Sequence, residues 1–199
     1  MRKSFSNKGA RGIMVERIMK CGLIGGFILF VWGAVSWTVL PWQKAQMYSF
    51  QDESEVRSAI KDNISGSGIY MLPNLNQYND PNALAAAKDK MAEGPFATVA
   101  VMADGKSPNR VGNAVASLIV KVIAACLVSW LLLKSAQPLE FTKSVKFITV
   151  VGIVVALAAT MPYLIWFGFP ASFAIGSIIE IVFGWFFAGL AIARLAMRK

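Results

Sequence analysis

The sequence predicts a mainly α-helical integral membrane protein with four transmembrane helices and a small extracytoplasmic α+β cap between helices 1 and 2. Composition is the first observation: 56% of the 199 residues are hydrophobic and only 16% are charged, whereas soluble domains carry roughly 25% charged residues. Secondly, the apolar stretches are long enough for spans of about 20 residues. Thirdly, a long polar stretch, residues 43–110, separates the first two of them.

The first span is predicted at residues 21–42, which are uncharged and follow a basic cytoplasmic N-terminus at residues 1–20. This pattern resembles a signal peptide. However, the apolar core is longer than a typical h-region, and no clean small-x-small cleavage pattern follows it. We therefore expect an uncleaved signal-anchor.

The remaining apolar sequence predicts three more spans. The stretch after residue 110 is interrupted only by Lys121, and the uncharged run 147–179 is too long for one helix. That run breaks at Gly168-Phe169-Pro170, because glycine and proline punctuate helices. The second, third and fourth spans are thus residues 111–133, 147–166 and 171–193, and residues 167–170 form an outer hairpin.

Charge next to the spans predicts the orientation. Basic residues cluster in the N-terminus, in the loop 134–146 and in the C-terminus 194–199, whereas acidic residues slightly outnumber basic ones in 43–110. The positive-inside rule then places both termini in the cytoplasm and residues 43–110 outside. Aromatic residues that prefer the headgroup region support these limits: Trp37, Trp42, Trp130 and Trp166.

The polar stretch 43–110 contains signals for two helices and two strands. Asp52 with Glu55 has the form of a helix-capping pair, and Asp80 precedes a proline at the first position of a second helix. Each helix is followed by a β-rich run, at residues 69–72 and 96–102. A two-stranded sheet is marginal alone, so we expect this cap to pack on the bilayer surface, a partner or a second copy.

The residue inventory argues against an enzyme, and no catalytic, cofactor-binding or metal-binding residue is predicted. The chain has no histidine, which excludes a Ser-His triad, and its two cysteines are isolated in or beside apolar segments. Acidic residues at the start of the first cap helix suit the helix dipole better than a divalent cation: Asp52, Glu53 and Glu55. The net charge of +9 is explained by the cytoplasmic flanks, so no nucleic-acid partner is expected.

Lys121 and Glu180 are the best functional lead, because each is a lone charge inside an otherwise apolar span. An ionisable group in hydrocarbon costs at least about 2.5–3.5 kcal/mol, so it is usually paired or faces water. Both groups are expected about 13–15 Å from the outer ends of their helices. They either line a pathway for protons or polar solutes, bind an opposite charge in a partner's membrane helix, or form a static latch between helices.

Small residues recur at four-residue spacing in three spans and predict faces for close helix contact. Internal contacts within one bundle are the default interpretation of these faces, with oligomerisation as the alternative. The candidate residues are Gly22, Gly26, Gly152, Ala156, Gly176, Gly184 and Ala188.

The first span also carries a motif. The stretch 30–37 (FVWGAVSW), followed by Leu40-Pro41-Trp42 and later by Ser67-Gly68-Ile69-Tyr70 with Leu72-Pro73, resembles a signature of small uncharacterised bacterial inner-membrane proteins. The resemblance covers the first span and the start of the cap. It implies a bacterial inner-membrane location and assigns no activity to any residue.

From these features we predict a non-enzymatic accessory, assembly or interaction subunit that docks through its external cap and helix faces. Its expected partners are the lipid bilayer and either another membrane protein or a second copy of the chain. The alternative is a small oligomeric transporter or channel that uses Lys121 and Glu180.

Overall fold

The computed structural model describes residues 2–135 and 140–197, and it describes side chains except those of residues 2–11, 43 and 44. Part of the predicted loop 134–146, and the basic residues Arg198 and Lys199, lie outside the described residues. The described chain is mainly helical, with four helices long and apolar enough to cross a membrane and one two-stranded sheet. The prediction of a mainly helical fold, with four helices long and apolar enough to span a membrane and a small two-stranded sheet, is confirmed.

Four long helices form the bundle. They are α1 (Arg2–Thr38), α5 (Val111–Lys134), α6 (Phe141–Phe167) and α7 (Ala171–Ala196). Helix α1 ends at Thr38 because Pro41 has no N–H to donate, and the preceding Leu40 is extended with φ −82° and ψ 144°. A short helix α2 (Pro41–Lys44) follows.

The segment between α1 and α5 contains α3 (Glu53–Asn63), β1 (Gly68–Leu72), α4 (Pro81–Glu93) and β2 (Ala97–Val101). The strands pair antiparallel, with Gly68 opposite Val101 and Leu72 opposite Ala97. Both helices begin at a capping aspartate. Asp52 accepts a hydrogen bond from the N–H of Glu55 at 2.9 Å, and Asp80 accepts one from the N–H of Ala83 at 2.8 Å.

In the bundle, α1 lies between α5 and α7, and α7 lies between α1 and α6. Helices α5 and α6 meet over only a short stretch, so a cleft remains between them. All four long helices contribute fully buried side chains to the core. These include Cys21, Ala125, Ile148, Ala156, Ala188 and Ile192.

The turn between α6 and α7 contacts the segment that carries the sheet. Gly168 ends α6 in the left-handed conformation, with φ 72°, which a glycine adopts without steric cost. The ring of Phe96 lies 2.8 Å from the point where a Cβ of Gly168 would stand. The cap and the α6–α7 turn are therefore at the same end of the bundle.

Candidate functional site

The charged side chains of Lys121 and Glu180 converge on Gly33 of α1. A Cβ at Gly33 would clash with the Nζ of Lys121 and would lie 3.5 Å from the Oε1 of Glu180. The two charged groups are thus within about 6 Å of each other, a range in which opposite charges stabilise each other. Since Lys121 belongs to α5 and Glu180 to α7, this site joins the helices on either side of α1.

Lys121 is held by the main chain of α1 as well as by Glu180. Its Nζ donates a hydrogen bond to the carbonyl oxygen of Leu29 at 3.1 Å. Leu29 lies one helical turn before Gly33, so the missing side chain at Gly33 leaves this carbonyl open to a side chain from α5. The same Nζ lies 6.0 Å from the centre of the Phe30 ring, which is the outer limit of a cation–π contact.

Trp32 of α1 makes an equivalent side-chain contact with the main chain of α7. Its indole N–H donates to the main-chain carbonyl of Glu180 at 2.8 Å. Gly184 lies one turn beyond Glu180, and a Cβ there would be 3.0 Å from Cδ1 of Trp32. The indole also stacks edge-on against Phe187, with ring centres 5.0 Å apart. Trp32 therefore fixes the turn of α7 that carries the carboxylate.

A cavity of about 200 Å³ adjoins the charge pair. Lys121 and Glu180 are the only charged residues among those that line it, and the others are apolar or aromatic. Val155 of α6 forms part of its wall, so all four long helices contribute. Its volume is sufficient for several water molecules or a small polar solute.

Charge neutralisation and proton exchange are the chemistry that Lys121 and Glu180 offer at this site. Within residues 2–135 and 140–197 there is no cluster of three or more His, Cys, Asp or Glu side chains suited to a metal ion. Of the acidic residues at the start of α3, Asp52 caps the helix: the Ser54 hydroxyl and then the N–H of Glu55 lower the pKa of the Asp52 carboxyl from 3.8. The two cysteines are free thiols beside the α1–α5 contact.

The candidate small residues lie where helices of the same chain meet. Gly22 and Gly26 face Cys126 and Val122 of α5, where an added Cβ would clash with main-chain or side-chain atoms. Gly152 of α6 faces Trp185, and Gly184 faces Trp32. Gly176 lies beside Gln46 and Trp42, whereas Ala156 and Ala188 are fully buried.

The four candidate interface tryptophans differ in environment. Trp37, Trp130 and Trp166 are exposed on the outside of the bundle, by 41%, 44% and 72%. Trp42 is half-buried and donates its indole N–H to the hydroxyl of the fully buried Ser36 at 3.0 Å. Trp42 thus ties α2 back onto the end of α1.

Sequence reasoning missed three contributors to the site, namely Leu29, Trp32 and Gly33. Trp32 and Gly33 belong to the motif in the first span, to which the resemblance assigns no activity. A usable signal was present, because Gly33 interrupts an apolar helix at mid-span, the same depth predicted for the two charges.

No family model, curated protein sequence or solved structure matches this chain.

Proposed function

We propose that this chain is a non-enzymatic, multi-pass protein of the bacterial inner membrane that works as an accessory or assembly subunit. Its cap, residues 43–110, docks on an extracytoplasmic segment of another membrane protein. The observation that carries the proposal is the apolar surface of this cap. Among its described side chains only Ala87 is buried, whereas Tyr48, Phe50, Ile69 and Leu72 are more than 60% exposed.

Exposed apolar side chains on this scale mark an interaction surface. Side chains alternate between the two faces of a strand, so Ile69 and Leu72, with exposed fractions of 70% and 61%, project from opposite faces of β1. A bilayer surface covers only one face of a sheet, whereas a protein partner can cover both. The outer edges of β1 and β2 are also unpaired within the described chain, and such edges accept an added strand.

The charge pair supports the same proposal, because its charged groups interact with groups of the same chain. Lys121 interacts with Glu180 and with the carbonyl of Leu29, and Trp32 binds the carbonyl of Glu180. These contacts favour a latch that fixes the helices relative to one another. The partner is therefore expected to bind at the cap.

Site-specific photo-crosslinking in intact cells tests this proposal. A photoreactive amino acid at position 69 or 72 should give the same discrete adduct with one membrane protein. Lys61, on the exposed surface of α3, is the matched control and should give none. Adducts with lipid alone, or with a second copy of the chain alone, would contradict the proposal.

A second candidate function is favoured by the cavity of about 200 Å³ beside Lys121 and Glu180. In this alternative, an oligomeric transporter moves protons or a small polar solute past the pair. Proteoliposomes containing a pH-sensitive dye would then show proton flux that Glu180→Gln abolishes and Glu16→Gln, a control at an exposed carboxylate, preserves. An absence of flux in the unmodified protein would exclude proton transport.

A further inference from the structure

The cavity beside Lys121 and Glu180 reaches the outside of the bundle between α5 and α6. Two of its lining residues, Val120 of α5 and Val155 of α6, are 64% and 40% exposed. The back of the cavity is formed by α1 and α7, and α5 meets α6 over only a short stretch. Since these helices are long and apolar enough to span a membrane, the opening faces acyl chains, and a ligand that enters here comes from the lipid phase.

The charges in the cavity favour a ligand whose polar group is uncharged. Lys121 and Glu180 balance each other, so a carboxylate or an amine buried beside them would add a charge without a partner, which is costly. An ammonium has three N–H donors. The carbonyl of Leu29 accepts one of them at 3.1 Å, and Glu180 can accept a second. One donor of Lys121 is then left for a neutral acceptor, such as the carbonyl oxygen of a ligand.

The shape of the cavity suits a flat ring. The indoles of Trp32 and Trp185 both line it, and aromatic rings pack favourably against one another in edge-on or offset arrangements. An apolar cavity of about 150 Å³ holds a benzene ring, so a cavity of about 200 Å³ takes one six-membered ring with small substituents. A hydrocarbon tail attached to that ring would pass out between Val120 and Val155.

We infer that this cavity binds an isoprenoid benzoquinone. Its ring lies against the two indoles, a ring carbonyl accepts a hydrogen bond from Lys121, and its tail leaves between α5 and α6. A membrane quinone combines the three properties that the cavity selects: an apolar tail, an uncharged head and a flat ring with carbonyl acceptors. This ligand reaches the charge pair from lipid, unlike the polar solute of the transport alternative, and its binding does not depend on docking of the cap.

Quenching of tryptophan fluorescence tests this inference, because a quinone quenches an indole that it contacts. The intact protein in vesicles of dioleoyl-phosphatidylcholine is titrated with decylubiquinone. We expect a saturable component, one site per chain, in addition to the linear quenching by quinone dissolved in the lipid. Lys121→Met should weaken the affinity of this site about tenfold, as expected for the loss of a hydrogen bond from a charged donor. Neither 1-decanol nor decanoate, which lack the ring, should displace the quinone.

Two variants of α6 locate the site without changing the charge pair. Val155→Phe narrows the opening and should remove the saturable component. Val154→Phe is the matched control, because Val154 is 60% exposed and does not line the cavity, and it should retain that component. Purely linear quenching in the unmodified protein, equal quenching in the two α6 variants, an unchanged affinity in Lys121→Met or displacement by 1-decanol would each overturn the inference.

Discussion

Trp32 donates its indole N–H to the main-chain carbonyl of Glu180 at 2.8 Å, one helical turn before Gly184. Lys121 donates to the carbonyl of Leu29 in the same way, one turn before Gly33. Each donor reaches a carbonyl that the following glycine leaves uncovered. Helix α1 is thereby linked to both neighbouring helices through polar contacts at mid-span. Such contacts compensate for the absence of a hydrophobic driving force between helices in lipid.

Trp32→Phe should lower the free energy of unfolding by about 1 kcal/mol, the usual net value of one hydrogen bond. Phenylalanine lacks the N–H but keeps an aromatic ring near Phe183 and Phe187. Denaturant unfolding in detergent micelles measures this change. Trp37→Phe is the control, because Trp37 is 41% exposed, and it should have no measurable effect. Equal losses in both variants would show that the hydrogen bond is not the cause.

Neutralising both members of the charge pair should lower the free energy of unfolding by less than the sum of the two single neutralisations. Lys121→Met or Glu180→Gln leaves a single charge in an apolar surrounding, at a cost of at least about 2.5 kcal/mol each. We expect the double variant to be destabilised by at least about 1 kcal/mol less than the sum of the single effects. The same unfolding measurement completes this double-mutant cycle. Strictly additive effects would mean that the two charges do not stabilise each other.

The helices and caps could be predicted from the sequence because their signals are local. Length and hydropathy identify the spans, and Asp52 and Asp80 mark the starts of α3 and α4 within a few residues. Leu29 could not be predicted as a partner of Lys121. It contributes its main-chain carbonyl, a group that every residue has and that leaves no signal in the sequence. Gly33 was missed for a related reason: its role is the space it leaves, which depends on how α1 and α5 meet.

Gly26→Ala should destabilise the bundle by about 1–3 kcal/mol, as expected when a methyl group is forced into a tight contact. A Cβ there would lie 2.5 Å from the Cα of Val122. The methyl group therefore fits only if the main chain of α5 moves away from α1. Gly12→Ala in the same helix is the matched control, because nothing lies within 4 Å of its Cβ position. Thermal unfolding in micelles should distinguish the two variants. A similar loss in Gly12→Ala would contradict this explanation, because no close contact forms there and alanine favours a helix more than glycine does.

Helix α3 should fray in acid because of its cap. The pKa of Asp52 is lowered from 3.8 in the folded chain by hydrogen bonds from Ser54 and Glu55. The stabilisation from its carboxylate is therefore complete above pH 3.8 and is lost as the pH falls through the lower, folded-state pKa. Amide exchange of residues 53–56 should accelerate there, after correction for intrinsic rates. In Asp52→Asn this acceleration should be absent, and its persistence would point to other carboxylates.

Phe96→Ala should loosen the cap from the bundle, because the Phe96 ring lies against Gly168 in the turn between α6 and α7. Tyr163 near the end of α6 and Phe169 in this turn pack edge to face, with ring centres 5.2 Å apart, so the bundle side of the contact should stay intact. We expect faster hydrogen exchange in β2 and faster proteolysis at residues 103–110. Phe50→Ala is the control: it removes an equal ring that is 65% exposed and should change neither rate. Unchanged protection in Phe96→Ala would mean that the cap is held to the bundle by other contacts.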